Sequence, residues 1–233
     1  MTRLAYGKTE LAAPRLVVPA YFHPLVHPEQ WALMAERADQ VHLVILNLAN
    51  GPGISFDASH LPAVQRLQEA GVSVAGYVDT NYGRRPIGDA VADLGRYLEW
   101  YGVSGVCFDR VAVDAENLAL YAELAGHARA MGAQMVTFNH GAHPLEAYAE
   151  HADLLCTFEG PWHAYLEASV PRWTRSLPAE KFYHVVYSVP RKHFGEAYLF
   201  AARRNAGSAF ITDHGGPNPY QCLPSDWPEA GEL

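Results

Sequence analysis

The chain has 233 residues, of which 49% are hydrophobic and only 18% charged, which excludes a disordered polypeptide and suits one barrel-sized domain with a full core. A formal net charge of -8 argues against a nucleic-acid partner, whose phosphates it would repel. Three widely spaced cysteines, Cys107, Cys156 and Cys222, give neither a disulfide framework nor a zinc knuckle, and no stretch approaches the roughly 18 uninterrupted apolar residues of a membrane span.

From the N-terminus onward, short apolar runs alternate with helical patterns. The opening MTRLAYGKTELAAPRL lacks the long apolar core of a signal peptide. A cytoplasmic protein is expected from the sequence as it stands, or a secreted one if a leader has been removed. The strand candidates are LVVPAYF (16–22), HLVILN (42–47), VSVAGYVD (72–79), GVCFD (105–109), QMVTFN (134–139), LLCTFE (154–159), FYHVVYS (182–188) and SAFITD (208–213). They are short and rich in β-branched and aromatic residues, as buried parallel strands are. Between them lie PEQWALMAERA, LPAVQRLQEAG, GDAVADLGRYLEWYG, AENLALYAELAGHARAMG and GEAYLFAARRNAG. Glycines at 71, 102, 132 and 207 are expected to take the left-handed turn that ends a helix. Eight strand-then-helix units predict a single α/β domain, a (β/α)8 TIM barrel, with a Pro-rich tail from about residue 218 wrapping its surface.

Alternation along the strands assigns the faces. In the third strand Ser73, Ala75, Tyr77 and Asp79 are expected inward, and in the fourth Gly105, Cys107 and Asp109. In the sixth, Leu155, Thr157 and Glu159 are expected inward, with Cys156 and Phe158 facing the helices. The strands end on Asn47, Asp79, Asp109, Asn139, Glu159, Ser188 and Asp213, with Tyr21 and His23 near the end of the first. Polar strand ends on that face of a barrel are where its chemistry sits, although Asp and Asn also cap loops. Asp109 and Glu159 end strands four and six, and alternate strands share a barrel layer. Two facing carboxylates suit glycoside cleavage, one donating a proton and the other ionised as nucleophile or base.

The stretches VPAYFHP, LNLANGPG, AGVSVAGYVDTNYGRR, WYGVSGVCFDRV and FEGP resemble the spherulin-4 family, from about residue 18 to 159 and more weakly through the last two strands. The resemblance implies a barrel glycosidase cutting α-1,4-linked galactosamine or N-acetylgalactosamine polymers, with Asp109 and Glu159 in the places of the family's catalytic aspartate and glutamate. Where the family reads FDE this chain reads FDR, so Arg110 replaces a second acidic residue. It is expected at the surface, pairing with Asp114 or Glu116. In the pocket it would instead bind an anionic sugar or lower the pKa of Asp109.

The expected catalytic pair is therefore Asp109, ionised as nucleophile or stabiliser, and Glu159, raised in pKa by a drier setting as acid/base. Retention by direct attack is favoured over inversion. An N-acetyl substrate could also supply its own nucleophile. Tyr21, Tyr82, Trp162 and Tyr187 are candidate sugar platforms or packing residues. His23, Asn47, Asp79, Asn81, Arg84, Asn139 and Asp213 complete the expected substrate-binding set. The partner is an oligo- or polysaccharide, with no cofactor, metal, nucleic acid or membrane, and the protein a monomer or small homo-oligomer. Two alternatives remain at this point. One is a catalytically silent carbohydrate-binding barrel. The other is a metal-dependent hydrolase using His23, His140, His143 or His214 beside Asp79 and Asp213, although no HxH or HExxH pair is present. A Schiff-base aldolase is disfavoured because none of Lys8, Lys181 and Lys192 ends a strand.

Overall fold

A computed structural model describes residues 13–226; Lys8 and the last part of the tail lie outside them. Eight parallel strands close into a barrel in chain order. They are β1 (Arg15–Ala20), β2 (Val41–Leu46), β3 (Ser73–Asp79), β4 (Gly105–Asp109), β5 (Met135–Asn139), β6 (Leu154–Pro161), β7 (Phe182–Tyr187) and β8 (Ser208–Ile211). Closure is made by Arg15 and Leu16 pairing with Ser208 and Ala209. The barrel leaves no free sheet edge.

Helices cover the strands unevenly. The α-helices are α1 (Pro28–Glu36), α2 (Leu61–Glu69), α3 (Ile87–Tyr101), α4 (Leu118–Ala130), α5 (Trp162–Glu167) and α6 (Phe194–Arg203). After β5 there is only a short 3-10 helix, Glu146–Glu150. After β8 the described tail forms no helix and returns across the barrel mouth. Gly71, Gly102 and Gly132 have positive φ as expected at helix ends. Gly207 does not: Asn205 takes the left-handed turn after α6 (φ 62°). A Cβ on Gly207 would lie 2.8 Å from the Ala179 backbone, so that glycine serves close packing.

The expected alternation describes β3 and β4. Val74, Val78, Val106 and Phe108 are fully buried, and Gly76, of the same parity, lies against the Tyr97 ring of α3. Tyr77, Cys107 and Asp109 line the barrel cavity. In β6 the first half is reversed. A bulge lies between Cys156 and Phe158, because a second residue there opposes a single partner on β7. Cys156 pairs with cavity-lining Tyr183. Thr157 instead reaches His184, which is bonded to Tyr165 of α5. The face expectations for Leu155, Cys156 and Thr157 are thus corrected. The extra residue in the bulge restores the phase, and Glu159, paired with cavity-lining Val185, points inward.

Candidate active site

Parallel strands in one closed ring bring their C-terminal ends to one face, and β3, β4, β5 and β6 deliver Asp79, Asp109, Asn139 and Glu159 there. Asn139 joins the two acids. Its Nδ2 donates to Asp109 Oδ1 at 2.7 Å and to Glu159 Oε2 at 2.6 Å. Its own carbonyl accepts from the Gly141 amide at 3.0 Å. That third bond fixes which end of the side-chain amide faces the acids. Gly141 adopts φ 64° and its carbonyl accepts from Glu159 N at 2.9 Å, so one left-handed turn orients Asn139 and anchors the backbone of Glu159.

Each carboxylate has a tyrosine on its remaining oxygen. Tyr77 Oη donates to Asp109 Oδ2 at 2.7 Å, and Tyr220 Oη to Glu159 Oε1 at 2.5 Å. Burial, then the adjacent carboxylates, push both phenols far above their usual range. They therefore remain O–H donors at neutral pH. The Tyr220 ring lies 5.4 Å from Tyr21, which lies 6.0 Å from Tyr77. These aromatic walls enclose a narrow cavity of about 30 Å³ beneath the acids.

Asp109 is pushed up from 3.8 to about 6, first by burial and then by the Glu159 charge; Tyr77 and the Arg110 backbone amide oppose the shift. Asp109 is thus harder to ionise than its small and basic neighbours in sequence suggest. Its strand contributes small residues, but the rings of Tyr21, Tyr77 and Tyr220 from other segments share its inner cavity and shield that side of it from water.

A wider cleft of about 360 Å³ opens on the other side of the acids, lined by Tyr82, Arg110, His140, Gly141 and Tyr187 as well as Asn139. His140 donates from Nδ1 to Ala112 O at 2.8 Å, and burial lowers its pKa to about 4, so it is neutral. Arg110 is not at the surface beside Asp114 or Glu116, as expected from the alternation. Its backbone is left-handed (φ 53°), which turns the side chain into the cleft, where Nη1 lies 3.3 Å from Asp79 Oδ2. Nη2 donates to Asn81 Oδ1. The guanidinium lies 5.2 Å from the Tyr82 ring centroid. Asn81 and Tyr82 are left-handed too, at φ 47° and 57°. Such residues cost on the order of 1–3 kcal/mol each and persist only where the surroundings hold them. Here the buried Thr80 hydroxyl shares its one proton between Asp109 O and Arg110 O, each 2.9 Å away, and Tyr82 N donates to Arg110 O at 2.7 Å.

The remaining sequence candidates lie at varying distances from the acids. Tyr21 lines the inner cavity and Tyr82 and Tyr187 the outer cleft. Asn47 accepts from Gly51 N at 3.1 Å and holds the loop after β2. Arg84 is exposed and lines neither cavity. Asp213 faces Arg191 and Ser225. Trp162 is buried between His193 and Phe200, so the structure offers it as packing and not as a sugar platform. The residues that sequence reasoning missed in site roles are Tyr220 and Gly141; His140 was considered only as a metal ligand, and Tyr77 was placed inward but given no task. Inward parity two residues before a strand-ending acid was a usable signal for Tyr77. Tyr220, 61 positions from Glu159, offered none.

The four histidines of the metal alternative do not converge. His140 is bound to Ala112, His143 lies near Arg204, and His214 contacts Cys222 at 3.0 Å. Among the described residues His23 joins Asp57 and His60 in a group with metal-compatible spacing. Its chemistry favours a hydrogen-bonded cluster. Leu25 N donates to His23 Nδ1 at 3.1 Å, so the ring proton is on Nε2 and points at Asp57 Oδ2, 3.1 Å away. A metal would need that Nε2 lone pair. His23 is thereby engaged at the rim and not in either cavity.

The model of spherulation-specific family 4 matches residues 15–232. The chain belongs to this family. Spherulin-4 of Physarum polycephalum is 27% identical over 168 residues, which is 71% of this chain but 50% of that protein; the chain thus spans half the length of the curated relative it matches. Among solved structures, Aspergillus clavatus Sph3, crystallised in complex with GalNAc, superposes with a TM-score of 0.79 at 24% identity. It covers 93% of this chain and 95% of its own. The spore cortex-lytic enzyme SleL of Bacillus cereus gives 0.57 at 7% identity, covering 90% of this chain and 73% of its own. These structural likenesses bear on the barrel fold alone. Among the described residues no helix is long and apolar enough to cross a membrane.

Proposed function

We propose that this protein is a glycoside hydrolase that cleaves galactosamine- or N-acetylgalactosamine-containing glycans with Asp109 and Glu159 as its acid and nucleophile pair. The observation that carries the reading is the single Asn139 amide held between the two carboxylates. A shared donor at 2.7 and 2.6 Å limits the bridged oxygens to a separation no greater than the sum, about 5.3 Å. Direct attack with retention uses carboxyl groups roughly 5–5.5 Å apart, whereas inversion needs about 6.5–9.5 Å to admit water. The short spacing favours retention. The family membership and the GalNAc bound by Sph3 support an amino-sugar substrate.

The division of labour follows the surroundings. Asp109, raised to about 6 by burial and by Glu159, is suited to bring a proton to the leaving oxygen in mildly acidic solution, up to about pH 6. Glu159, whose oxygens accept from Tyr220 and Asn139, is the partner that meets the oxocarbenium-like carbon. This exchanges the two roles expected from sequence. Tyr82 and Tyr187 in the outer cleft offer ring faces to a sugar. The test is turnover of galactosamine and N-acetylgalactosamine oligomers by wild type, Asp109→Asn and Glu159→Gln, with circular dichroism as the check on folding. Full activity in either variant removes that residue from the mechanism. Binding without turnover by the wild type would make the barrel a silent carbohydrate binder. The anomer first released, read by NMR, decides between retention and inversion.

A further inference from the structure

The outer cleft has an electrostatic character that the acid pair does not account for. Asp109 and Glu159 line its inner side, and among the other residues lining it Arg110 is the single charged group, since His140 is neutral. The chain places it there through a left-handed backbone that two hydrogen bonds to its carbonyl hold, from Thr80 and Tyr82. The guanidinium is oriented on three sides. Asn81 takes a bond from Nη2, Asp79 lies 3.3 Å from Nη1, and the Tyr82 ring covers one face. Asp79 is committed elsewhere as well, because its Oδ1 accepts from Asn81 N at 2.7 Å. Nε is buried with no partner, yet the side chain as a whole is 41% exposed, so the accessible part is the Nη end. A guanidinium carries two N–H bonds on each Nη, and Asn81 and Asp79 do not use all four. A planar donor fork, fixed in direction and open to a cleft, is suited to a carboxylate.

We propose that Arg110 makes the outer cleft selective for an acidic sugar, so that the unit seated there carries a carboxylate next to the amino sugar being cleaved. This rests on the glycosidase reading and deepens it. A free ammonium against the Nη end would face a like charge, and a neutral acetamido sugar would give the Nη hydrogens that Asp79 and Asn81 leave free no charged acceptor. The proposed substrate class is therefore an acidic glycan in which an amino sugar neighbours a uronic acid, in place of a uniformly cationic polymer.

The test measures binding by calorimetry with the full chain and three size-matched probes. They are an N-acetylgalactosamine oligomer, its de-acetylated cationic form, and an oligosaccharide in which N-acetylgalactosamine alternates with a uronic acid. Wild type is expected to bind the uronic-acid probe about tenfold or more tightly than the neutral one, with the advantage shrinking as salt is raised. Arg110→Gln should abolish the advantage. Arg110→Lys should keep part of it, because the charge survives and the fork does not; its retained binding also shows that the position tolerates substitution. Equal or tighter binding of the neutral or cationic probe by wild type overturns the proposal and leaves the glycosidase reading standing. So does an advantage that survives Arg110→Gln. Failure of all three probes to bind or turn over overturns both.

Discussion

Replacing Asp109 by asparagine should abolish turnover and stabilise the protein, and the size of the second effect follows from the site. Asp109 is raised from 3.8 to about 6 by burial and by Glu159. That displacement corresponds to about 3 kcal/mol of unfavourable interaction when the group is ionised in the folded state. Between pH 4 and pH 6 the folded protein retains a proton that the unfolded chain releases. Stability therefore falls as pH rises through that window, and the loss is complete above about pH 6. Asparagine carries no charge and escapes it. It offers one acceptor oxygen where the carboxylate offers two, so either Tyr77 or Asn139 loses its partner, at a cost of about 1–2 kcal/mol. The net expectation at pH 7.5 is a gain of about 1–2 kcal/mol, or a melting temperature higher by about 2–8 °C for a chain of this size. Thermal melts of both proteins from pH 3.5 to 7.5 check it. The difference between them should grow with pH up to about 6 and then level off. Parallel curves across that range would refute the raised Asp109, and with it the assignment of the proton to this residue.

Tyr220→Phe removes the hydroxyl from Glu159 while keeping the ring against Tyr21. Turnover should fall by about tenfold to a hundredfold, as for loss of one charge-assisted bond of about 1.5–3 kcal/mol, with the melting temperature nearly unchanged; an unaltered kcat would refute it. Asn139→Asp sets a third carboxylate between two others, so activity should vanish at neutral pH and the melt should improve on acidification, as a pH series of melts would show. Trp162→Phe should cost about 1–3 kcal/mol in urea denaturation through lost packing on His193 and Phe200, and leave KM for the glycan unchanged. A rise in KM of tenfold or more would return Trp162 to the sugar-binding set.

What could be read from sequence depended on where the backbone is regular. The eight strands and their acidic ends were legible because extended backbone alternates strictly, so Val106 and Phe108 on one face require Cys107 and Asp109 on the other. Glu159 was placed correctly for an incomplete reason. The bulge between Cys156 and Phe158 reversed the first half of β6 and then returned the phase before the acid. Arg110 was misplaced where the alternation rule ceases to apply: a φ of 53° ends the strand and redirects the next side chain into the cleft. Nothing in the order of the residues announces a bulge or a left-handed arginine, since both depend on partners that other loops supply. The same limit governs charge state. Asp109 was expected to ionise easily because its neighbours in sequence are small and one is basic. Its neighbours in space are Tyr77 from β3, Asn139 from β5, Glu159 from β6 and, across Glu159, Tyr220 from the returning tail. A pKa is set by that second group. A closed barrel fixes which residues share a face through local pattern, but the dryness of the face comes from segments that cover it, and those are separated from the acid by up to half the chain. The identity of the pair is thus a local property, whereas which member holds the proton is a property of the assembled mouth.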